Sequence, residues 1–268
     1  MKNLQIYCGC LNNSNLSQIK KLNYIPVGLK NNNFSKDWLR DNTLINISNK
    51  NPYYGEYTFY YWYWKNLLKN KKKNDWVGFC SYREYWGNKE KNKMKDIKSQ
   101  VLQKIPAEWD DYETIIGEPI YLNSYLKFMK TLKYGKLALL RNPKAIFKSK
   151  RTIRFQFDMF HGSGNLDKAI DLLPSKDRED FRQYTRTEVS FAQGNMFITK
   201  SSKIIDAYFN DIFSWLKKCE KIFGYDLEGY GQIRMYTFLA ERYLSFWFKK
   251  YTKSLEWPVV YFDINKIK

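Results

Sequence analysis

The sequence predicts an α/β fold in which a largely parallel central sheet is flanked by helices. Short apolar runs at Leu4–Cys10 and Trp76–Cys80 have the length and continuous hydrophobicity of strands that are buried on both faces. Long amphipathic segments at Ser202–Phe223 and Glu228–Lys250 have helical periodicity. Because strands and helices alternate along the chain and no internal repeat is present, a layered α/β architecture is expected.

The other elements follow from local signals. Pro52 can start a helix, which we expect to continue to Lys69 because aromatic residues recur at helical spacing. Gly194 and Asn195 interrupt an apolar strand predicted at Phe191–Thr199. Further strands are predicted at Tyr24–Leu29, Tyr112–Ile116, Ile120–Leu122 and Val259–Phe262, further helices at Lys89–Lys104, Leu166–Leu173 and Lys176–Thr187, and a long surface loop at 31–51.

Positive charge dominates the composition. Lys and Arg outnumber Asp and Glu by 46 to 27, which gives a formal net charge of +19 in 268 residues. Such an excess concentrates polyanions, including nucleic acids, anionic lipids and nucleotide diphosphates. A lysine-rich coding bias would produce the same excess, so charge alone does not select the partner. Aromatic residues make up 18% of the chain, and we expect some of these rings to line a cleft for a sugar or a base.

Part of the positive charge lies in a basic insertion at about residues 125–154. This segment is short of acidic residues, and its Lys and Arg residues alternate with apolar ones. That composition is typical of a segment that faces a membrane surface or a negatively charged acceptor.

The lack of a recognisable targeting signal and the cysteine usage lead us to expect a cytoplasmic protein. Peripheral contact with the inner face of the plasma membrane is an open alternative. Met1–Cys10 does not resemble a secretory signal, and no run approaches the about 18 apolar residues that cross a bilayer. The four cysteines have neither zinc-site spacing nor the density of a disulfide scaffold. The motifs of P-loop kinases, dinucleotide oxidoreductases, serine hydrolases and zinc proteases are absent from the sequence.

A ligand site is expected where the predicted strands end. In open α/β sheets ligands bind beyond the carboxyl ends of the strands, so the loops after Ile6, after Phe79 and around Gly194 are the first candidates. Asn195 follows Gly194 and offers an amide that can bind sugar hydroxyls in both directions. A simple β-bulge would explain the same two residues.

Ser81, Tyr82 and Arg83 follow a predicted buried strand directly. They place a hydroxyl, a ring and a guanidinium at the sheet edge, and arginine is suited to bidentate phosphate binding. The alternative is structural, because Arg83 could pair with Glu84 or Glu56 to brace the neighbouring helix.

Four other polar positions are candidates. Glu56 and Thr58 lie in an aromatic helix, where burial without partners would be costly, so they either face a cleft or hold a cation in place. His161 is the only histidine, set beside a glycine-rich bend after a predicted strand, with Asp158 three residues earlier. The pair could bind a diphosphate or a metal, or be purely structural.

Metal use stays open at this stage. The sequence has no Asp-x-Asp triplet, and its closest carboxylate pairs are Asp110 with Asp111 and Asp226 with Glu228. A Mn²⁺ or Mg²⁺ ion that clamps a donor diphosphate is therefore one alternative and metal-free binding is the other.

Four motifs carry a family resemblance. They are N-P-Y-Y-G-E-Y-T-F-Y-Y-W-Y-W-K-N at Asn51–Asn66, D-W-V-G-F-C-S-Y-R-E-Y-W at Asp75–Trp86, Q-G-N-M-F-I at Gln193–Ile198 and F-L-A-E-R at Phe238–Arg242. In the presence and the order of these motifs, the chain resembles the capsular-polysaccharide and exopolysaccharide glycosyltransferase family. That family was long catalogued as a domain of unknown function.

The resemblance implies a single GT-A-like domain over residues 1–268, built on a Rossmann-type, mostly parallel sheet. It implies a hexosyltransferase that acts on a nucleotide sugar by inverting displacement. The implied donor is a UDP-sugar, with UDP-galactofuranose among the alternatives. The implied acceptor is a growing capsular polysaccharide, lipopolysaccharide or other surface glycan, or a lipid-linked oligosaccharide.

We assign roles to the candidate residues as a hypothesis of our own, for a transferase of this kind. Glu188 or Asp158 would accept the proton of the attacking hydroxyl, and Asn195 and Trp62 would orient the acceptor. The donor-binding residues are expected to be Cys8, Gly9, Glu56, Thr58, Ser81, Tyr82, Arg83 and His161.

Two other functions fit parts of the sequence. The charge and the aromatic residues would suit a nucleic-acid-binding protein, although no known binding module is recognisable. A non-catalytic scaffold of a polysaccharide assembly complex is the other alternative. It is motivated by Ser81 and Glu84, which stand where the resembled family has the His and the second Arg of C-H-Y-R-R-Y.

Overall fold

The computed structural model describes residues 3–30, 33–89, 97–125 and 135–264. The strands are β1 (Leu4–Cys10), β2 (Ile25–Gly28), β3 (Leu39–Arg40), β4 (Trp76–Ser81), β5 (Glu84–Trp86), β6 (Thr114–Gly117), β7 (Pro119–Tyr121), β8 (Ser190–Ala192), β9 (Phe197–Thr199), β10 (Ser254–Trp257) and β11 (Val259–Tyr261). The α-helices are α1 (Leu16–Lys21), α2 (Asn51–Tyr54), α3 (Tyr57–Asn66), α4 (Ile97–Gln100), α5 (Leu122–Tyr125), α6 (Lys136–Arg141), α7 (Ile153–His161), α8 (Asn165–Ile170), α9 (Ser175–Thr187), α10 (Ser202–Phe223), α11 (Tyr230–Ile233) and α12 (Met235–Tyr251). Short 3₁₀ turns lie at Asn13–Asn15, Ser48–Lys50, Leu68–Asn70, Ala107–Trp109, Pro143–Ile146 and Lys148–Lys150.

The central sheet is mostly parallel and flanked by helices, as expected. Its main row has the order β10-β6-β9-β4-β1-β2-β3, while β5 pairs with β4 and with β11. Among the described strands of this row, β9 is the one that runs against its neighbours, β4 and β6. Strand β1 lies between β2 and β4 and is parallel to both. After β1 the chain continues to β2 and β3 on one side of it and then returns to form β4 on its other side. The strand order therefore reverses between β1 and β4, and a crevice forms at the carboxyl ends of these two strands.

Both faces of the sheet are covered, which explains the uninterrupted apolar character of its central strands. Tyr7 and Phe79 point from β1 and β4 into one core, which also contains α3, α10 and α12. Ile6 and Cys80 point to the opposite face, into a second core. Side chains that alternate along a strand thus enter two separate cores.

Aromatic side chains fill the first core. Most of the rings of α3 are buried, and the ring centroid of Tyr60 lies 4.6 Å from that of Phe79. The hydroxyls of Tyr57 and Tyr208 lie 2.6 Å apart, and the hydroxyl of Tyr60 donates to the carbonyl of Asn195 at 2.9 Å. The aromatic richness that suggested a ring-lined cleft therefore supplies much of the core instead, with hydrogen bonds for the buried hydroxyls.

The local structure differs from the predictions at several places, including the unpredicted elements α1, β3 and β5 and the division of the helix predicted at Glu228–Lys250 into α11 and α12. The segment before His161 is helix α7 and not a strand. Its sequence F-Q-F-D-M-F alternates apolar and polar residues as a strand does, but Thr152 caps the helix by accepting from the Phe155 amide. The helix expected from Pro52 to Lys69 breaks at Gly55, whose φ is +54°. Strand β10 was not predicted.

Two predicted segments lie partly outside the described residues. The helix predicted at Lys89–Lys104 includes residues 90–96, which fall outside, and the described remainder contains the short helix α4. The basic insertion includes residues 126–134, which also fall outside. Its described part contains α6, two 3₁₀ turns and the start of α7. In the described part of the chain, no helix is both long and apolar enough to span a bilayer.

Asp177 ties α9 to the end of α12. It is fully buried, and its carboxylate accepts from the Tyr243 hydroxyl at 2.8 Å, the Tyr251 hydroxyl at 2.5 Å and Lys250 Nζ at 3.0 Å. Burial acts to raise the pKa of Asp177, but these three donors outweigh it and hold the pKa below its usual value. A carboxyl group with a depressed folded-state pKa stabilises the protein above its unfolded-state pKa and loses that effect as the pH falls through the folded value.

We expect Asp177→Asn to lower the free energy of unfolding at pH 7 by about 3 kcal/mol, because it leaves a buried, charged hydrogen-bond network without its anion. Urea unfolding measures this loss, which should shrink as the pH falls below about 4. Asp180→Asn is the matched control, since Asp180 contacts the same Lys250 but has a side chain that is 62% exposed. It should cost less than about 1 kcal/mol. Equal losses in the two variants would contradict this role.

Candidate functional site

A cleft of about 240 Å³ opens at the carboxyl ends of β1 and β4. Gly9 near the end of β1 and Ser81 at the end of β4 form part of its wall. Strand β9 is antiparallel to β4, so the residues that precede it, Gly194 and Asn195, reach the same edge of the sheet. The three loops that the sequence singled out therefore meet in one place.

The cleft brings together most, but not all, of the residues proposed from sequence. Gly9, Glu56, Ser81, Tyr82, Arg83 and Asn195 line it. Cys8, Thr58 and Trp62 are buried behind its walls. His161 lies in an adjoining pocket, and Asp158 and Glu188 line neither space.

Thr58 and Trp62 attach a loop to α3. The Thr58 hydroxyl donates to Asp41 Oδ2 at 2.5 Å, and it accepts from Asn51 Nδ2 at 3.0 Å. Trp62 Nε1 donates to the carbonyl of Thr43 at 2.8 Å. Both side chains therefore shape the cleft from behind, by holding the segment around residues 41–43 against the helix.

His161 ends α7 and is 4% exposed. It lines a pocket of about 470 Å³, which shares the walls Gln193, Tyr230, Phe238 and Glu241 with the cleft. Its Nδ1 lies 2.9 Å from the Gly231 carbonyl, which can only accept, so Nδ1 carries the proton and Nε2 accepts from Arg242 at 3.4 Å. Burial and the Arg242 charge hold the pKa of His161 well below its usual value. The imidazole is therefore neutral and brings no positive charge for a diphosphate.

Asp158 and Glu188 lie outside both the cleft and the adjoining pocket. Asp158 is 7% exposed and accepts from the Gly164 amide at 2.8 Å, with Arg141 at 3.9 Å. This bond closes the turn between α7 and α8. Glu188 is exposed at the carboxyl end of α9. Their proposed catalytic roles remain predictions from sequence.

Three carboxyl groups converge in the cleft. Glu241 accepts from the Gly194 amide at 2.8 Å and pairs with Arg242. Glu56 accepts from Asn195 Nδ2 at 2.6 Å and lies 3.5 Å from Arg234. Burial, together with the like charges of Glu241 and Glu56, raises the pKa of the third, Glu84, to about 8. Glu84 is therefore a carboxyl group that can hold or release a proton near neutral pH.

The turn at Gly194 and Asn195 explains the interruption seen in the sequence. Both residues have positive φ, +89° and +54°. A Cβ atom at position 194 would lie 2.3 Å from Glu84 Oε2, so a larger residue there would displace the Glu84 carboxyl group as well as strain the backbone. Asn195 is 1% exposed, and its Oδ1 has no hydrogen-bond partner among the described residues. The cleft wall thus contains a buried acceptor whose hydrogen-bonding capacity is unused within the described residues.

Arg83 lies at the mouth of the cleft. Its side chain is 63% exposed, 3.7 Å from Asp263, and its guanidinium lies 4.9 Å from the centroid of the Tyr82 ring. Arg234 supplies a second guanidinium on the opposite wall. Among the described residues, no group of three His, Cys, Asp or Glu side chains is arranged to hold a metal ion. Metal dependence therefore stays a prediction.

Sequence reasoning did not select several residues that line the cleft: Gln193, Tyr230, Arg234, Phe238 and Glu241. One signal was available. Glu241 and Arg242 are adjacent charges within the otherwise apolar helix α12, and such charges are stable in a core only when they are paired or face a cavity. Arg234 and Tyr230 precede that helix in a polar segment without any distinguishing pattern.

Comparison with known proteins identifies the family. A family model described as "Domain of unknown function (DUF4422)" matches residues 5–253. The chain belongs to this family. No curated protein matches it. Among solved structures, the DUF4422 chain is similar to the apo structure of the WbbM bifunctional glycosyltransferase, with a TM-score of 0.67 at 17% sequence identity.

That similarity covers 97% of this chain and 45% of the WbbM chain. The DUF4422 chain therefore spans less than half the length of the protein that it matches. At this level of identity the comparison establishes the fold, a mixed α/β architecture with a mostly parallel central sheet flanked by helices, which is shared with part of a glycosyltransferase.

We expect Glu84→Gln to raise the thermal unfolding midpoint by a few degrees at pH 8. The folded pKa of about 8 lies above the unfolded value of about 4.3, so stability falls as the pH rises between these values and the full penalty applies above the higher one. The amide removes the penalty, and the difference should vanish below about pH 4. Differential scanning fluorimetry measures it. Glu108→Gln, at a side chain that is 54% exposed, should have no effect. A lower midpoint for Glu84→Gln at pH 8 would contradict the buried-carboxyl interpretation.

Proposed function

We propose that this protein is a glycosyltransferase that moves a hexosyl unit from a nucleotide-sugar donor to a growing surface glycan. The observation that carries the proposal is the cleft itself. It lies at the reversal of strand order between β1 and β4, where open α/β folds bind ligands, and it combines guanidinium groups, a carboxyl cluster and an unpartnered amide oxygen. The fold that contains it is shared with part of a glycosyltransferase.

The donor is proposed to enter over Gly9 and Ser81. Arg83 is exposed, and its only close carboxylate among the described residues is Asp263, at 3.7 Å, so its guanidinium is available for a diphosphate. It would stabilise the charge that develops on the leaving nucleotide. The Tyr82 ring beside it can stack on a base or a sugar. We propose a UDP-sugar, with UDP-galactofuranose as the first donor to test, on the strength of the motif resemblance.

Glu84 is the general base that we propose, in preference to Glu188 and Asp158. It lies in the cleft, and its pKa of about 8 suits proton transfer near neutral pH. In an inverting displacement it would accept the proton of the attacking acceptor hydroxyl. Asn195 Oδ1, buried beside it, would accept a hydrogen bond from a sugar hydroxyl and hold the sugar in place.

The acceptor is proposed to occupy the adjoining pocket that contains His161. The two spaces share a wall, and the Phe238 ring in that wall offers a stacking surface for a sugar. Both ring nitrogens of His161 are engaged, with the Gly231 carbonyl and with Arg242, so its neutral ring serves as part of the pocket wall. We propose a capsular polysaccharide, lipopolysaccharide or another surface glycan as the acceptor, and an enzyme that works in the cytoplasm at the inner membrane face.

Nucleotide binding is the first test. UDP, GDP, CDP and dTDP, each with and without Mn²⁺ or Mg²⁺, are added to the protein in a thermal-shift screen. We expect one of them, UDP in our proposal, to raise the unfolding midpoint, since a ligand at about 100 times its Kd stabilises by about 2.7 kcal/mol. A midpoint unmoved by every nucleotide, together with no sugar transfer or donor hydrolysis, would favour the scaffold alternative.

Arg83→Ala should weaken nucleotide diphosphate binding by about tenfold or more, because it removes a charge-assisted bidentate contact of roughly 1.5–3 kcal/mol. Isothermal titration calorimetry measures the change. Arg186→Ala is the control, since Arg186 is 47% exposed and pairs with Asp167 away from the cleft. An unchanged affinity in Arg83→Ala would remove Arg83 from the donor site.

Glu84→Gln should lower kcat for sugar transfer by about 100-fold or more with little change in donor affinity. Because a base acts in its deprotonated form, wild-type kcat/KM should rise with pH and level off above about 8, the pKa of Glu84 in the free protein. Glu188→Gln should keep near wild-type kcat. The opposite result, an inactive Glu188→Gln variant and an active Glu84→Gln variant, would identify Glu188 as the general base.

A further inference from the structure

An exposed apolar surface lies on the described part of the basic insertion. In a globular protein large apolar side chains are exposed singly as a rule, but here several occur within a short stretch. The exposed fractions are 68% for Leu137, 77% for Leu140, 44% for Ile146 and 67% for Phe147. Leu137 and Leu140 are three residues apart on α6 and so share one face of the helix.

Within this stretch of the sequence the charge has a single sign, and of its cations Arg141 on α6 pairs with Asp158 and Asp167 from neighbouring elements. The sequence from Pro119 to Phe157 contains no Asp or Glu. Lys136, Lys144, Lys148 and Lys150 are exposed in the same stretch as the apolar side chains. A surface that combines apolar side chains with unbalanced positive charge is complementary to an apolar layer covered by anions.

The segment is fixed to the fold from its inner side. Ala138 and Ala145 are buried against Phe155 and Met159. The buried guanidinium of Arg151 donates to the carbonyl of Ala145 at 3.1 Å and, from a second nitrogen, to that of Ile146 at 3.4 Å. The outward apolar side chains therefore stand on an anchored backbone.

We propose that residues 136–150 dock on an anionic lipid bilayer. Leu137, Leu140 and Phe147 would enter the boundary between head groups and acyl chains, and the lysines would contact the lipid phosphates. The positive charge of the lysines is attracted by the anionic head groups, and removal of the large apolar side chains from water adds to the binding. A nucleic acid would use the lysines but would leave the leucines and Phe147 in water, which is why the bilayer is the partner that fits.

The docking surface lies close to the proposed acceptor pocket. Helix α7 separates the two: Phe155 and Met159 pack against the docking segment, and Gln156 and His161 line the pocket. Phe160 contacts both. The pocket is therefore within about one helix diameter, roughly 10 Å, of the membrane-facing segment. If the proposed transferase function holds, this position selects an acceptor that is anchored in the membrane by a lipid.

Vesicle sedimentation tests the docking surface. The full chain is mixed with vesicles of phosphatidylcholine alone or of phosphatidylcholine with phosphatidylglycerol. We expect binding to the second kind that weakens with salt, and at least about a tenfold loss of binding for the double variant Leu137→Glu/Leu140→Glu. The matched control is Leu44→Glu/Ile45→Glu, two equally exposed apolar residues outside the segment, at 76% and 59%, which should bind as wild type does.

Several results would overturn the inference. They are no binding to phosphatidylglycerol vesicles, equal losses in the two double variants, or binding of the wild type to duplex DNA but not to vesicles. Self-association that disappears in Leu137→Glu/Leu140→Glu, without vesicle binding, would assign the surface to a second copy of the chain.

Nucleotide thermal shifts separate this inference from the proposed function. Leu137→Glu/Leu140→Glu should show the same nucleotide-induced thermal shift as the wild type and should lose only its binding to vesicles. Vesicle binding without any nucleotide shift would leave the docking surface in place and reject the transferase. With both present, transfer to a lipid-linked acceptor in vesicles should fall in the double variant, while transfer to the same glycan freed of its lipid should not. Equal transfer to both by the variant would overturn the link between the surface and the acceptor.

Discussion

The cleft depends on how the turn at Gly194 and Asn195 is held. Its Gly194 amide donates to Glu241 on α12, its Asn195 amide group donates to Glu56 before α3, and its Asn195 carbonyl accepts from Tyr60 within α3. Two of these bonds involve carboxyl groups and are worth roughly 1.5–3 kcal/mol each. The turn therefore joins the antiparallel strand β9 to the two helices that supply the other walls.

Such an arrangement concentrates charge in a protein interior, where an unpaired carboxylate is costly. Glu241 and Glu56 are offset by Arg242 and Arg234. Among the described residues, Glu84 has no such paired arginine in the cleft, and burial, followed by the like charges of Glu241 and Glu56, raises its pKa to about 8. A carboxyl group whose raised pKa lowers the stability of the folded protein is a common feature of sites whose chemistry includes a proton transfer.

Much of the fold could be predicted because its signals are local. Strand β1 and helix α10 have the predicted boundaries, since a continuous apolar run and a strict amphipathic period each have one simple structural solution. Helix α7 was misassigned because F-Q-F-D-M-F fits a strand period, and only the Thr152 cap and tertiary packing decide otherwise. The break at Gly55 likewise reflects a long-range contact, as a Cβ there would lie 2.4 Å from Arg234.

Only the part of the site that is formed by the ends of strands could be predicted from the sequence. Six of the proposed residues line the cleft, and strand order explains four of them, Gly9, Ser81, Tyr82 and Arg83, because it fixes where the ends of β1 and β4 meet. Glu241 lies in helix α12 and Arg234 directly precedes that helix, and nothing local places the helix over the sheet edge. His161 was expected near a phosphate, whereas its buried contact with Arg242 makes it neutral.

The wall common to the two cavities has a thermodynamic consequence. Gln193, Tyr230, Phe238 and Glu241 contact whatever fills either space, so the free energy of filling one depends on whether the other is filled. By linkage this coupling must be reciprocal and equal in both directions. Occupancy of the two cavities is thus a single equilibrium with four states, and its cooperativity is set by how these four side chains reposition.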